Sequence, residues 1–311
     1  MMQTIIPPVD KSLIEAELTQ DKFIRETNNG SNLIYIVTYQ NAPNLVREIG
    51  RLREVTFRKA GGGTGKEIDM DIFDTGANSY KQLVVWNPEY REVVGGYRFI
   101  RCSDAEKDEN GNYLLATSGL FDLSEKFVKE ILPLTIELGR SFVQPNFQPG
   151  PENRKGLFSL DNIWDGLGAI IVDNPDIKYF YGKVTMYRHF NTKARDMILY
   201  FLKKYFPDPE KLLLPKEPLA FYTDEQVLLQ LFDGLDFKEG YKLLKHEVGL
   251  LNENIPPLVN TYMNLSPTMK SFGTALNTTF GEVEETGILV TIADIYDSKK
   301  DRHIITSKRN S

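Results

Sequence analysis

Short runs rich in β-branched and aromatic residues alternate along this chain with longer stretches whose apolar positions recur at helical spacing. NLIYIVTY (32–39), KQLVVWN (81–87), VVGGYRFIRC (93–102) and IKYFYGKVTM (177–186) have the make-up of strands. YLLAT (113–117) is a short strand candidate, and SFGTALN (271–277) and GILVTIADI (287–295) close the series. Between them, residues 41–60 carry Val46, Ile49, Leu52 and Phe57 near helical spacing. FDLSEKFVKEIL (121–132), the segment 156–172 and NTKARDMILYFLKKYF (191–206) read as further helices, the last stopped by Pro207. The pattern predicts a polar N-terminal extension (1–31), an α/β core (32–206) and a mostly helical insertion (207–269). Final strands (270–295) and a basic tail (296–311) complete it. Strand, helix, strands, helix, strand, helix, strands is the order of a mixed sheet with helices on both faces.

One stretch departs from simple patterning. LTIELGRSFVQPNF (134–147) opens as a strand, ends at Pro145, and places Glu137 and Arg140 inside an otherwise apolar run. Positions three apart point to opposite faces of a regular strand. Gly139 lies between them, and an interior glycine often marks a bulge. A bulge would turn both charges to one side and leave backbone groups unpaired. Two readings follow: a pair facing a reaction, or an internal ion pair that fixes strand register.

Composition narrows the field. The 311 residues are 41% hydrophobic and 26% charged, with a net charge of −6 that argues against a general nucleic-acid binder. No apolar run is long enough to span a bilayer, and no basic-then-apolar leader is visible, so a cytoplasmic protein is expected. A single cysteine, Cys102, excludes an internal disulfide, and three histidines give no plausible zinc set. Gly61-Gly62-Gly63-Thr64-Gly65-Lys66 invites a phosphate-loop reading. It fails because Ala60 and Glu67 stand where that loop needs glycine and a hydroxyl, and a mobile loop is expected instead. No GxSxG elbow is present.

Asp69-Met-Asp71-Ile-Phe-Asp74 puts three carboxylates in six residues. Alone it reads as a solvated acidic turn. Taken with Arg53 and Phe57 upstream, Arg98 in a strand, and Glu137-Leu-Gly-Arg140, it resembles the acyl-homoserine-lactone synthases. Those carry an Arg and Phe on the first helix, an acidic E-x-D-x-x-D, an Arg ending a strand, and an E-x-x-R. Asp69 replaces that family's first Glu. IPPLVNTYMNLSPTM (255–269), Phe280-Gly281 and a strand ending at Ile295 are closer still to the acyl-carrier-protein-dependent amino-acid N-acyltransferases. These are often labelled hemolysin-like and make ornithine or glycine lipids. ELGRSFV, IWDGLGAII (163–171) and FYGKVTM (180–186) also follow that family. The resemblance covers roughly residues 45–295. It implies the GCN5-related N-acetyltransferase (GNAT) fold and transfer of a fatty, 3-hydroxylated or plain, acyl group to the α-amine of glycine or ornithine.

On that reading Glu137 is the general base, held by Arg140 or Arg98. Amides freed near Gly139 polarise the thioester; Asp71 and Asp74 bind the substrate ammonium or pair with Arg53 and Arg98 to shape the acceptor pocket, with Phe57 also among the substrate-binding residues. No permanent cofactor and no metal is implied. The co-substrate is an acyl carrier protein's phosphopantetheine thioester, or acyl-CoA. The connection QPNFQPGPENRKGLF lacks the Q/R-x-x-G-x-G/A that presents amides to a pyrophosphate, which favours the carrier protein. Residues 178–204 hold seven Lys or Arg against Asp196 alone. With Arg154 and Lys155, a patch including Lys183, Arg188, Lys193 and Arg195 would steer an acidic carrier. The bland alternative is a solvated helix face. Trp164, Phe99, Phe142, Met186 and Tyr181 are candidate walls of an acyl cleft, with plain core the stronger reading. MILYFLKKYF could rest on the inner membrane surface, though core packing is again preferred. Two alternatives stay open: a lactone-forming signal synthase, and a non-enzymatic membrane-lytic or lipid-binding protein.

Overall fold

A computed structural model describes residues 2–150 and 153–305. In chain order the elements begin α1 (Lys11–Glu17), β1 (Phe23–Glu26), β2 (Leu33–Val37), α2 (Pro43–Lys59), α3 (Ile72–Thr75), β3 (Lys81–Asn87) and β4 (Glu92–Arg101). Then come β5 (Phe121–Leu123), β6 (Thr135–Val143), α4 (Ser159–Asp173), β7 (Tyr179–Met186) and α5 (Thr192–Tyr205). The chain continues with β8 (Leu213–Pro215), α6 (Glu225–Phe232), α7 (Phe237–Leu250), α8 (Pro257–Met263), β9 (Lys270–Asn277), β10 (Val283–Thr291) and α9 (Asp297–Lys300). It divides into two compact units. Unit 1 comprises the described residues up to Ala116, Leu134–Lys178 and those from Asp297 on; unit 2 comprises Thr117–Pro133 and Tyr179–Tyr296. Unit 2 holds β7 and α5 together with the segment 207–269.

In unit 1 an antiparallel sheet runs β1-β2-β3-β4-β6. Helix α2 covers the face that carries Gln82 and Arg98, and α4 the face of Leu83, whose side chain leaves no room for a Cβ at Gly166. The N-terminal extension is part of this unit, not a lead-in. β1 pairs with β2, and Glu17 on α1 accepts the Asn44 and Leu45 N–H groups (3.1 and 2.8 Å). That supplies the cap that Ala42 cannot give to α2. A polar sequence hid a four-residue edge strand.

The glycine run is also held rather than mobile. Gly61, Gly63 and Gly65 take positive φ, which glycine alone adopts without cost. The buried Glu54 carboxylate accepts the N–H groups of Thr64 (3.0 Å) and Gly65 (2.8 Å). Those amides face an internal anion and not a phosphate.

In unit 2 the antiparallel order is β7-β10-β9, with β5 and β8 forming a separate pair. The segment expected as one helix from Phe121 is strand first, then helical over 125–134. YLLAT forms no strand; Tyr113 makes only an isolated bridge to Lys107. Residues Met197 to Leu202 of α5 are all buried, so MILYFLKKYF packs inside unit 2 and does not offer its apolar face to a bilayer. The tail from Asp297 packs on α4 in unit 1, with His303 buried and hydrogen-bonded to Asp165 at 2.7 Å. Gly168 permits that approach, since a Cβ there would stand 2.2 Å from the His303 carbonyl oxygen.

Candidate active site

The bulge expected in the central strand is present, one residue later than the glycine suggested. Gly96 pairs with Phe142 but Arg98 with Gly139, so β6 has one extra residue opposite Tyr97. Arg140 absorbs it with φ +50, a left-handed conformation that a non-glycine residue adopts at a cost of about 1–2 kcal/mol. Thr135 to Leu138 are buried, while Gly139, Arg140 and Ser141 are part-exposed. The strand opens at the bulge.

Around it six charges interlock. Helix α2 contributes Arg53, β4 contributes Arg98, and β6 contributes Arg140. The acidic run lies across α2, where Gly50 lets its backbone come close: a Cβ there would meet the Asp69 carbonyl oxygen at 3.0 Å. Asp71 and Asp74 form a capping box on α3, so the x-D-x-x-D spacing has a local reason as well as a chemical one. Asp74 is fully buried and accepts from five donors: Arg53 Nη1 (3.0 Å) and Nη2 (2.8 Å), Arg98 Nη1 (3.1 Å), Gln82 Nε2 (3.0 Å) and the Asp71 N–H (3.1 Å). Burial alone would raise its pKa; the Arg53 and Arg98 charges outweigh that and hold it well below the usual carboxylate range. Burial likewise opposes the charge on Arg98, and Asp74 and Asp71 overcome it, raising the guanidinium further. Asp69 sits between Arg53 Nε (3.1 Å) and Arg140 Nε (2.9 Å).

Of the two roles open to Asp71 and Asp74, Asp74 takes the pairing one: it is fully buried and its carboxylate is filled by Arg53, Arg98 and their neighbours. Asp71 differs: its side chain is 32% exposed, with Oδ1 engaged by Arg98 (2.8 Å) and the Phe73 N–H (2.9 Å). Arg53 and Phe57, four apart on α2, are both buried.

Glu137 and Arg140 do not share one open crevice. Glu137 is 1% exposed, whereas the Arg140 side chain reaches the part-exposed edge of the bulge. The carboxylate accepts from the Tyr80 hydroxyl and from the Ala116 N–H (3.2 Å), and that N–H also donates to the Tyr80 oxygen (3.0 Å). Tyr80 was not singled out in the sequence. It directly precedes β3 and is fully buried, with its ring 5.4 Å from the Arg98 guanidinium carbon and edge-on to Phe73. Nothing in the local pattern distinguishes it from an ordinary core tyrosine. Burial, then the Glu137 charge, push its phenol well above its ordinary pKa. The same two causes push the Cys102 thiol up, and burial removes it from the chemistry.

The basic patch dissolves in part. Lys183 is part-buried in an ion pair with Glu285, and Arg195 is held by Asp196 and by Glu284 (2.7 Å). Both serve unit 2 internally. Arg188 is exposed but paired with Glu282, and Lys193 is exposed. Lys155 in unit 1 lies 3.5 Å from the centre of the Tyr90 ring, and the Arg154 side chain falls outside the described residues. Trp164 and Phe142 in unit 1, and Met186 and Tyr181 in unit 2, are buried core; Phe99 is buried too and also lines a cavity of unit 1. Cavities exist in each unit. One of about 550 Å³ in unit 1 involves Lys81, Arg101 and Asp173, and one of about 790 Å³ in unit 2 involves Leu199, Leu213, Phe221 and Phe272. Neither is lined by Glu137, Arg98 or Asp74. Among the described residues no acidic, histidine or cysteine group is placed to hold a metal, and no helix is long and apolar enough to cross a membrane.

A bulged antiparallel strand with a helix on each face and a cluster of charges at the bulge is the frame of a GNAT acyltransferase, and an acetyltransferase (GNAT) domain matches residues 52–154. The chain is 56% identical over 305 residues to a glycine N(alpha)-acyltransferase of Bacteroides thetaiotaomicron, covering 98% of this chain and 90% of that protein. A second, from Phocaeicola vulgatus, is 54% identical over 303 residues, with 97% and 93% covered. A solved CoA-dependent acyl-homoserine lactone synthase, BjaI with MTA, aligns over 87% of this chain and 89% of its own at 13% identity and a TM-score of 0.35. The chain belongs to the glycine N(alpha)-acyltransferase family. The non-enzymatic lytic alternative is thereby set aside.

Proposed function

We propose that this enzyme transfers a long-chain fatty acyl group, 3-hydroxylated or plain, from the phosphopantetheine thioester of acyl carrier protein to the α-amine of glycine. Such a product is the first intermediate of an aminolipid pathway. Glycine is the acceptor named in both relatives at 54–56% identity. The carrier protein is favoured as donor by QPNFQPGPENRKGLF, which lacks the glycine-spaced turn that a nucleotide pyrophosphate uses. Exposed Lys193 supports a carrier-docking role, as does Lys155, while Lys183 and Arg195 drop out of it.

The observation that carries the chemistry is the bulge at Arg140. An α-ammonium has a pKa near 8 and must lose a proton before nitrogen can attack. Asp71, with its exposed edge, holds that ammonium. Glu137 takes the proton, directly or through one water. Gly139 gives the route: it lies two residues along β6 from Glu137 and is part-exposed, and its missing side chain leaves space above Arg98. Nitrogen then attacks the thioester carbon, and the oxyanion is met by N–H groups released at the bulge and by the Arg140 charge. The C–S bond breaks as the carbonyl re-forms; the departing thiolate takes up the proton from Glu137, and the carboxylate so regenerated accepts the second proton from the acylated nitrogen and passes it to solvent. No acyl-enzyme is formed.

The test is mass spectrometry of reactions containing purified enzyme, glycine or ornithine, and a 3-hydroxypalmitoyl or palmitoyl group on either carrier protein or CoA. N-acylglycine formed faster from the carrier than from CoA at equal concentration is expected. Equal or greater use of CoA would refute the donor, and preference for ornithine would refute the acceptor.

A further inference from the structure

Glu137 is buried at 1% exposure, and the Tyr80 hydroxyl donates to its carboxylate. Its confirmed partners are the Tyr80 hydroxyl and the Ala116 amide, and those two are themselves hydrogen-bonded. The three atoms close a triangle in which each hydrogen points inward to the carboxylate or to the oxygen that serves it. Tyr80 is in turn fixed at both ends. Its backbone N–H donates to the Phe73 carbonyl at 2.7 Å, and its ring, the Phe73 ring and the Arg98 guanidinium pack mutually against one another. Arg98 is the residue that also holds Asp71. The acceptor side of the pocket and the base are therefore joined through one tyrosine.

We propose that Tyr80 is the positioning residue for the base in acyl transfer: its phenol donates to the Glu137 carboxylate and fixes the oxygen that receives the proton. This rests on the reading of Glu137 as base and extends it. A hydroxyl donor stabilises a buried carboxylate far more than it stabilises the neutral acid, so its removal favours protonation. The phenol cannot compete for the charge, because burial and the neighbouring carboxylate keep it protonated throughout the working range. The other charged or titratable groups near the triangle are Arg98 on β4, and Cys102 and Asp104 on the turn after it. Arg98 is permanently charged. Cys102 stays protonated, so neither alters the balance between pH 5 and 9. Tyr80 touches no reacting atom; it acts through Glu137.

The experiment is the pH dependence of kcat/KM for glycine acylation by wild type, Tyr80→Phe and Glu137→Gln, with thermal melting as a folding control. The acid limb of such a profile reports protonation of the base in the free enzyme, and the alkaline limb reports the acceptor ammonium. Tyr80→Phe is expected to move the acid limb up by about one to two pH units, the size of one lost hydrogen bond to a charge, while the alkaline limb stays. Below that limb kcat falls more than KM for glycine rises. 3,5-Difluorotyrosine at position 80 keeps the shape and is a stronger donor, so it moves the acid limb the other way. A uniform drop at every pH, or an acid limb unmoved by either replacement, would overturn the role of Tyr80. Glu137→Gln separates the two ideas: an unchanged limb in that variant refutes the base itself, whatever Tyr80 does. If Tyr80→Phe does not fold, the fluorinated tyrosine alone decides the matter.

Discussion

Replacing Asp74 by Asn tests whether the charge cluster is one electrostatic unit. Arg53, Arg98 and Arg140 face Asp69, Asp71 and Asp74, three charges of each sign, with Arg53, Arg98, Asp69 and Asp74 fully buried. Asn keeps the volume but leaves one net positive charge, and turns an amide NH₂ toward guanidinium groups that also only donate. Breaking a buried pair on one side costs about 3–5 kcal/mol. For a protein of this size that is roughly 6–10 °C in Tm, taking about 2 °C per kcal/mol. The pH dependence adds a second signature. The folded pKa of Asp74 lies below its unfolded value, so its contribution to stability is present above about pH 4 and is lost as pH falls toward the folded pKa. Wild type should lose stability steeply between about pH 4 and pH 2, and Asp74→Asn should lose less over the same interval. Calorimetry at pH 7 and at pH 3 measures both. A loss below about 1 kcal/mol at pH 7, or parallel acid slopes, would refute the account of the cluster.

Asp71→Asn removes a part-exposed charge rather than a sealed one; it should raise KM for glycine by about tenfold with Tm within roughly 2 °C, read from steady-state kinetics beside a melt. Gly139→Ala should fold normally, because its Cβ would sit at an ordinary 3.7 Å from Arg98 Nε, whereas Gly139→Val fills the approach to Glu137 and should lower kcat/KM by about tenfold or more. Gly168→Ala drives a Cβ into the His303 carbonyl and should cost about 1–3 kcal/mol, with amide exchange in residues 297–305 rising first.

The sequence was readable where one face of an element is apolar. α2 falls close to its expected limits because Val46, Ile49 and Leu52 recur at helical spacing, and β3 because Leu83-Val84-Val85-Trp86 is a short β-branched and aromatic run. It was least readable where polar residues make structure by pairing. β1 is Phe-Ile-Arg-Glu, and Val283-Glu-Glu-Thr opens β10, where Glu285 is buried against Lys183 and Asn277; charge in both places masks a strand. The site divides the same way. The acidic run, Arg98 and the E-x-x-R could be found by spacing, but not which carboxylate would be sealed. Asp74 and Asp71 differ only in how many donors the fold turns toward each. Tyr80 left no trace, because its partner is a residue 57 positions away.

The central claim is that a carboxylate beneath the bulged strand takes the proton of the acceptor amine. It is tested most directly by rapid-quench single-turnover acylation of glycine at pH 7 with Glu137→Gln, in enzyme shown by melting to be folded. The account predicts N-acylglycine formation slowed by about 10² or more with donor binding retained. A single-turnover rate within a few-fold of wild type would contradict it.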